Sequence, residues 1–480
     1  GHQLRFCDAG RHEASNKNSI NAWTGQSGRP FFGIVKPLLG EDGYPVLKAG
    51  NIYQVQGGLK TSEESLSYLF DASDERGKRS YSDVKGLVQM VDGYYTYDSK
   101  KNFAIFDPER NAFDVYKKPA VKAATGTNQI GQFLPFNTEE EVFDKQPDGS
   151  LVAKNSINAK HEVINHYFGL DLTADFTQPK NGEVNGKNMK FSFSGDDDVW
   201  VFIDGVLVGD LGGVHGAASL DIDFKTGKIV LQDARTNPPA TWPGKETTLR
   251  SCFTDALGEA AAAEYFEGDT STFKPDSYHT LKFFYMERGN TDSNMKISFN
   301  LQRVTQSSVR KDDQYGKPVQ GAELALYEAT KVEDGGKVRF EPKGDSPIWQ
   351  GLTDAAGNFN IMTPAGNRPY NFAEAHGHGQ DHYILREVKA PAGYRKNPDA
   401  WLSYHPSHGD GQDGFVVCEN PWDSGVYARP NQSVYVTGES VRDTTGASYR
   451  VTEENTVLAV LYKRDRQHHD DWHAIGGEHG

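Results

Sequence analysis

The sequence is short of cysteine, of basic charge, of helix-patterned segments and of long apolar runs, and each shortage excludes something. Only three cysteines occur, Cys7, Cys252 and Cys418, without the paired spacing of a zinc site or a redox motif, so a disulfide framework is ruled out. One bridge, Cys7 to Cys252, stays open as an alternative to three isolated buried thiols. Lysine and arginine number 51 against 66 aspartates and glutamates, and the net charge of −15 repels phosphate backbones and anionic membrane surfaces. Nucleic acid is thereby excluded as a partner. No apolar run approaches the about 20 residues of a membrane helix, the best candidate being TVLAVLY from Thr456 to Tyr462, so no membrane insertion is predicted for this chain. The opening GHQLRF has neither an initiator methionine nor a signal-peptide pattern, as in a chain trimmed of its targeting segments.

What is present points to β structure. Hydrophobic residues make up 36% and aromatics 11% of 480 residues, enough for the cores of about two to four domains. Fifty glycines and 22 prolines punctuate short runs rich in Val, Ile, Phe and Tyr, such as VWVFIDG, KIVLQ and MKISFNLQ, which read as strands joined by turns. FIDGVLVGD reads as a hairpin turning at Asp204-Gly205. Helical character concentrates in DALGEAAAAEYFEG, near residues 255 to 268. A change of pattern after NLQ places a boundary at 302. The fold class is therefore mainly β: a large β-sandwich with insertions over 1–302, an immunoglobulin-like β-sandwich with an insertion over 303–462, and a tail or the start of a further segment over 463–480.

The stretch FSFSGDDDVWVFIDG sets Asp196, Asp197 and Asp198 against an apolar strand. Three adjacent carboxylates repel unless they face water, share a proton or hold a cation. Solvated turn residues are the plain alternative, since Asp and Asn dominate turns. Trp200, two residues beyond, is expected to face the core, and His215 with Asp210 to form a hydrogen-bonded Gly-Gly turn. His376, His378 and His382, and separately His468, His469 and His473, lie in polar, Gly-spaced loops and receive no function.

Residues 191 to 216, with INAWTG at 20 to 25, FLPFN at 133 to 137, NHYFGLDLTADFTQP at 165 to 179 and HTLKFFYMERGNTDSNMKISFNL at 279 to 301, resemble the bacterial fibro-slime domain. This domain is a branch of the anthrax protective-antigen-type sandwich that includes lectin-like heads. Residues 304 to about 460 resemble a Cna-B-type stalk domain, a prealbumin-like sandwich of Gram-positive adhesins and pilins. The first resemblance implies a Ca²⁺ site at two adjacent Asp residues joined by a cis peptide, Asp196 and Asp197, or Asp197 and Asp198 in the alternative register. A neighbouring loop supplies Asn290, Asp292 and Asn294, oxygen ligands that suit a hard cation. The second implies a self-formed isopeptide bond from Lys311, of the pattern K-x-D-x-x-G, to an Asn for which Asn455 is the candidate, promoted by Glu387 of LREVKAPAGY. An ordinary Lys311 to Glu387 salt bridge is the alternative.

Together the resemblances imply an extracellular, wall-anchored surface adhesin with a calcium-dependent carbohydrate-binding head on an isopeptide-stabilised stalk. Its partners would be a host or environmental glycan or glycoprotein, and the cell wall of a Gram-positive bacterium through a sorting signal beyond this chain. The alternative is a structural pilus or surface-layer subunit in which calcium is only structural. No enzyme is expected: a glycoside hydrolase fits poorly, since paired catalytic carboxylates stand about 5 to 9 Å apart across a cleft rather than adjacent in sequence.

Overall fold

The computed structural model describes residues 3–8, 23–24, 30–50, 53–54, 62–71, 73, 79–118, 121–122, 132–154, 164–234, 244–288, 293–302, 304, 306–313, 317–366, 368–397, 399–408, 412–418, 448–457, 462–464 and 472–474. The chain divides into two compact units, Gly1–Gln302 and Arg303–Gly480, each mainly β.

The first unit is built on two antiparallel sheets. One has six strands in the order Val206–Leu211, Asp198–Ile203, Tyr278–Glu287, Phe168–Thr177, Gln3–Asp8 and Arg79–Tyr81. The other has seven, in the order Lys245–Thr248, Lys228–Asp233, Ala218–Asp223, Lys190–Gly195, Met295–Phe299, Tyr94–Asp98 and Gln89–Val91. Alternate residues of both sheets, such as Val199 and Val201 from one and Phe191 and Phe193 from the other, meet in a single core.

The six-stranded sheet is covered on its other face as well. Trp200, Phe202, Phe284 and Met286 pack there against Ile34, Val35, Leu47, Leu66 and Phe70 of the N-terminal part. Burial on both faces explains why residues 199–203 are apolar without alternation and why every residue of Asp198–Ile203 is buried. It also gives the long N-terminal part a structural task that the sequence left open. Trp200 is indeed buried, but in this outer core rather than between the sheets.

The Asp204-Gly205 turn has φ of 48° and 83°, and pairs Ile203 with Val206, as the sequence predicts. The helical stretch differs from expectation. It begins earlier, at Leu249, capped by Thr248 Oγ1 accepting from Ser251 N, and Gly258 at φ 83° splits it into Leu249–Leu257 and Glu259–Ala263. The cap set the start, and the alanines prevailed only after the glycine had broken the rod. Cys252, on the first of these helices, packs its free thiol at the edge of the core, so the candidate bridge to Cys7 is not formed.

The second unit also pairs two sheets. Four strands run in the order Asn358–Asn360, Gln306–Asp313, Ser448–Val457 and Tyr394–Arg395; Gln306–Asp313 and Ser448–Val457 lie parallel. The other sheet runs Lys337–Pro342, Glu323–Asp334, His382–Lys389, Ala400–His408 and Gln412–Cys418, with Trp349–Leu352 also on Glu323–Asp334. Val309, Leu324, Phe359, Tyr383 and Leu385 form the core.

Candidate functional site

Three chain crossings between the two sheets of the first unit supply the acidic site. Strand Lys190–Gly195 of the seven-stranded sheet passes into Asp198–Ile203 of the six-stranded sheet through Asp196 and Asp197. Strand Val206–Leu211 returns through residues 212 to 217, and Tyr278–Glu287 is followed in the other sheet by Met295–Phe299, with Arg288 and Asn294 between them. The crossings are tied to one another. Asp196 N donates to Asn294 O at 3.2 Å, and a Cβ on Gly195 would stand 2.0 Å from that same carbonyl. Glycine is required there by space. Gly195→Ala is expected to destabilise the protein by about 1–3 kcal/mol in urea unfolding, because backbone rather than a flexible side chain must yield.

The peptide between Asp196 and Asp197 is cis. Asp196 accepts from Asn294 through the backbone N–H and, at 3.1 Å, through Nδ2. Asp197 accepts from His215 N at 3.1 Å and from Arg288 N at 3.1 Å, one oxygen each. Burial, with Asp196 and Asp198 beside it, holds the Asp197 carboxyl well above the usual carboxylate range, and Arg288 opposes this only in part.

Asp198 has a different task from the expected one. Its Oδ2 lies 2.6 Å from Arg288 Nε, its Oδ1 3.2 Å from Nη2, and Oδ1 also accepts from Gly213 N. Both side chains of this ion pair are essentially inaccessible, at 1% and 0%. Asp198, expected as a ligand, is the buried partner of Arg288. Asn294, also expected as a ligand, braces Asp196 as a donor. Asn290 and Asp292 lie outside the described residues. Among the described residues no three His, Cys, Asp or Glu side chains converge in a metal-binding group.

Arg288 is what the sequence reading missed, and its signal was a basic residue immediately after an apolar strand, in FFYMER. Asp196, Asp197, Asp198 and Glu287 are 4%, 2%, 0% and 0% exposed, and Arg288 is 4% exposed. Asp197 and Asp198 both feel the Arg288 cation, and crowding of buried carboxyl groups of this kind is relieved by protons or by a cation. The donors are hard oxygens, the type calcium takes.

His215 makes the hydrogen-bonded turn expected of it: Nδ1 is 2.8 Å from Gly216 O and Nε2 3.3 Å from Leu211 O. Asp210 is not its partner. It accepts from Gly33 N at 2.6 Å, tying the N-terminal part to the sheet, and burial pushes its pKa up to about 7. In the unfolded chain the carboxyl titrates near its ordinary value of about 3.9. The folded state alone therefore keeps the proton at intermediate pH, and this contribution to stability is lost as pH rises from about 4 through 7. Asp210→Asn should raise the melting temperature at pH 8 and leave it nearly unchanged at pH 4, as thermal unfolding at both pH values would record.

In the second unit, Lys311 Nζ stands 3.2 Å from Glu387 Oε2, and both side chains are 0% exposed. The pair joins the two sheets, Lys311 from Gln306–Asp313 and Glu387 from His382–Lys389. Glu387 also accepts from Asn397 N at 2.7 Å. Parallel pairing sets Lys311 opposite Glu453 and Asp313 opposite Asn455, so backbone register brings position 455 to the strand beside Lys311. Among the loop histidines, His376 is held by Asp381 at 2.6 Å and His382 by Ser403 at 2.9 Å. His468, His469 and the side chain of His473 fall outside the described residues.

A scan against protein-family models finds no match. Among curated proteins, Protein psiO of Dictyostelium discoideum is 33% identical over 138 residues, 29% of this chain and 12% of psiO. Protein psiD of the same organism is 28% identical over 193 residues, 40% of this chain and 29% of psiD. The chain thus spans less than a third of either relative. Among solved structures, the group B streptococcus pilus 2b backbone protein aligns at 14% identity over 60% of this chain and 93% of its own, with a TM-score of 0.18. The full-length major pilin SpaD from Corynebacterium diphtheriae aligns at 12% identity over 95% and 93%, with a TM-score of 0.16.

Proposed function

We propose that this chain is an extracellular surface subunit whose first unit holds one Ca²⁺ at Asp196 and Asp197 and, through that ion, a glycan, while its second unit is a covalently locked stalk. The carrying observation is the cluster of adjacent buried acids, Asp196, Asp197 and Asp198, in which burial and its two neighbours hold the Asp197 carboxyl well above the usual carboxylate range. Asp196 and Asp197 would hold the ion, Asn294 would orient Asp196, and Asn290 and Asp292 would complete the oxygen shell. Bound calcium would neutralise the acids and offer remaining coordination positions to vicinal hydroxyls, since it takes about six to eight oxygens. Attachment to the cell wall of a Gram-positive bacterium belongs to the same reading.

The stalk chemistry rests on the Lys311–Glu387 pair. Lys311 Nζ attacks the side-chain amide carbon of Asn455, Glu387 passes the proton released by the amine to the departing amide nitrogen, an isopeptide bond forms, and ammonia leaves. The product is a crosslink between neighbouring strands, suited to a protein under tension.

A second reading is a structural surface subunit in which calcium only stiffens the crossings. It is favoured by the aromatics near the acids: Tyr285 and Phe133 are fully buried and offer no stacking face to a sugar ring. Binding per site should be weak in either case, so display matters. Beads carrying many copies of the full chain should retain glycans or mucin in calcium, and lose them with chelator or with Asp197→Ala. Failure to retain any glycan would leave the structural reading standing.

A further inference from the structure

Away from the acids, the first unit lines up a serine, a histidine and an aspartate. Ser277 precedes strand Tyr278–Glu287 and His279 is that strand's second residue, so the two side chains share a face. Ser277 Oγ is 2.6 Å from His279 Nε2, and His279 Nδ1 is 2.6 Å from Asp204 Oδ2. Asp204 is held in turn: its Oδ1 accepts from Thr280 N at 2.9 Å, and its own N donates to Thr280 O at 2.9 Å. The imidazole is clamped on Phe273, with ring centroids 3.9 Å apart and planes 24° apart. His279 and Asp204 side chains are 3% and 6% exposed, whereas Ser277 reaches solvent.

This is the order of a nucleophile, a base and a group that orients the base. The Asp204 carboxylate accepts a hydrogen bond from Nδ1–H, the arrangement that leaves the Nε2 lone pair facing the serine hydroxyl. We propose that Ser277 is an activated nucleophile that accepts an acyl group from activated esters, or a phosphonyl group from organophosphorus fluorides. In the acyl step Ser277 Oγ bonds to the carbonyl carbon while its proton passes to His279 Nε2. Asp204, a positioning residue, stabilises the imidazolium, and that proton then leaves with the departing alkoxide as alcohol; in the phosphonyl step Oγ bonds to phosphorus, the P–F bond breaks, and fluoride leaves with the same proton.

Slow turnover is expected. Ser277 N donates to Lys274 O at 3.2 Å and Asp276 N to Gln178 O at 2.8 Å, so neither amide is aimed at a developing oxyanion. Each missing donor of that kind costs roughly 10²–10³ in rate. The serine hydroxyl also has Lys274 O within reach, which competes with His279 for its proton. Stoichiometric acylation, followed by slow release to water, is the expected behaviour.

The test uses the full chain with a fluorophosphonate probe and with p-nitrophenyl acetate, read by intact mass, peptide mapping and p-nitrophenolate release. One adduct on Ser277 and a burst of one equivalent are expected. Both should vanish in Ser277→Ala, a partly exposed position whose melting curve should match that of the native chain. His279→Gln and Asp204→Asn should slow labelling by about 10²-fold or more, the contribution of a positioned base. Absence of any adduct on the native chain, an adduct on another residue, or an unchanged rate in a folded His279→Gln would each overturn the proposal and leave the three residues as a staple of the Asp204-Gly205 turn.

Discussion

Lys311→Ala should produce the largest change of any single substitution: loss of the stalk crosslink, seen as recovery of one ammonia in the intact mass, with a fall in stability of about 4–5 kcal/mol. That is the worth of closing a loop of the length between Lys311 and Asn455 in the chain-entropy description of a covalent link. No ion-pair energy adds to it, because a lysine joined to Asn455 is a neutral amide. Glu387→Gln keeps the shape and removes the acid. It should also show the uncrosslinked mass, as should Asn455→Ala. A native chain at full mass would reduce the pair to an ordinary buried salt bridge, and ammonia loss persisting in Lys311→Ala would assign the link to another lysine.

Arg288→Leu should rank second, with a loss of about 3–5 kcal/mol in urea or thermal unfolding. Asp198 is 0% exposed and takes two of its hydrogen bonds from the Arg288 guanidinium, so the substitution strands a carboxylate among three further acids. Asp198→Asn should recover much of the loss when combined with it, because the uncompensated charge is then gone. Near-native stability of Arg288→Leu alone would mean that the acids are neutralised by other means, and would weaken the charge argument for calcium at its root.

The parts of the molecule legible in the sequence are those in which one local signal decides. Asp-Gly between two apolar runs allows little but a tight hairpin turn. The acids had to sit at a strand mouth because VWVFI could not begin sooner. The unbroken apolar run 199–203 did not reveal what lay on either face, since the layer over Trp200 comes from residues more than 100 positions away, in pieces too short to show a period. A separation of 90 residues hid Arg288's choice of Asp198, and with it the split of the triplet into a cation's partner and two other acids. Gly258 was visible inside the alanine-rich stretch, yet its effect depended on a positive φ that composition does not display. Ser277 and His279 stood two apart in plain view. Only the fold brought Asp204 to them, 75 residues from His279.

Calorimetric titration of calcium into the chelator-stripped full chain tests the central claim most directly. The site at Asp196 and Asp197 predicts one saturable event per chain, a higher melting temperature with the ion bound, and loss of both in Asp197→Asn. No heat, together with identical melting in calcium and in chelator, would contradict it.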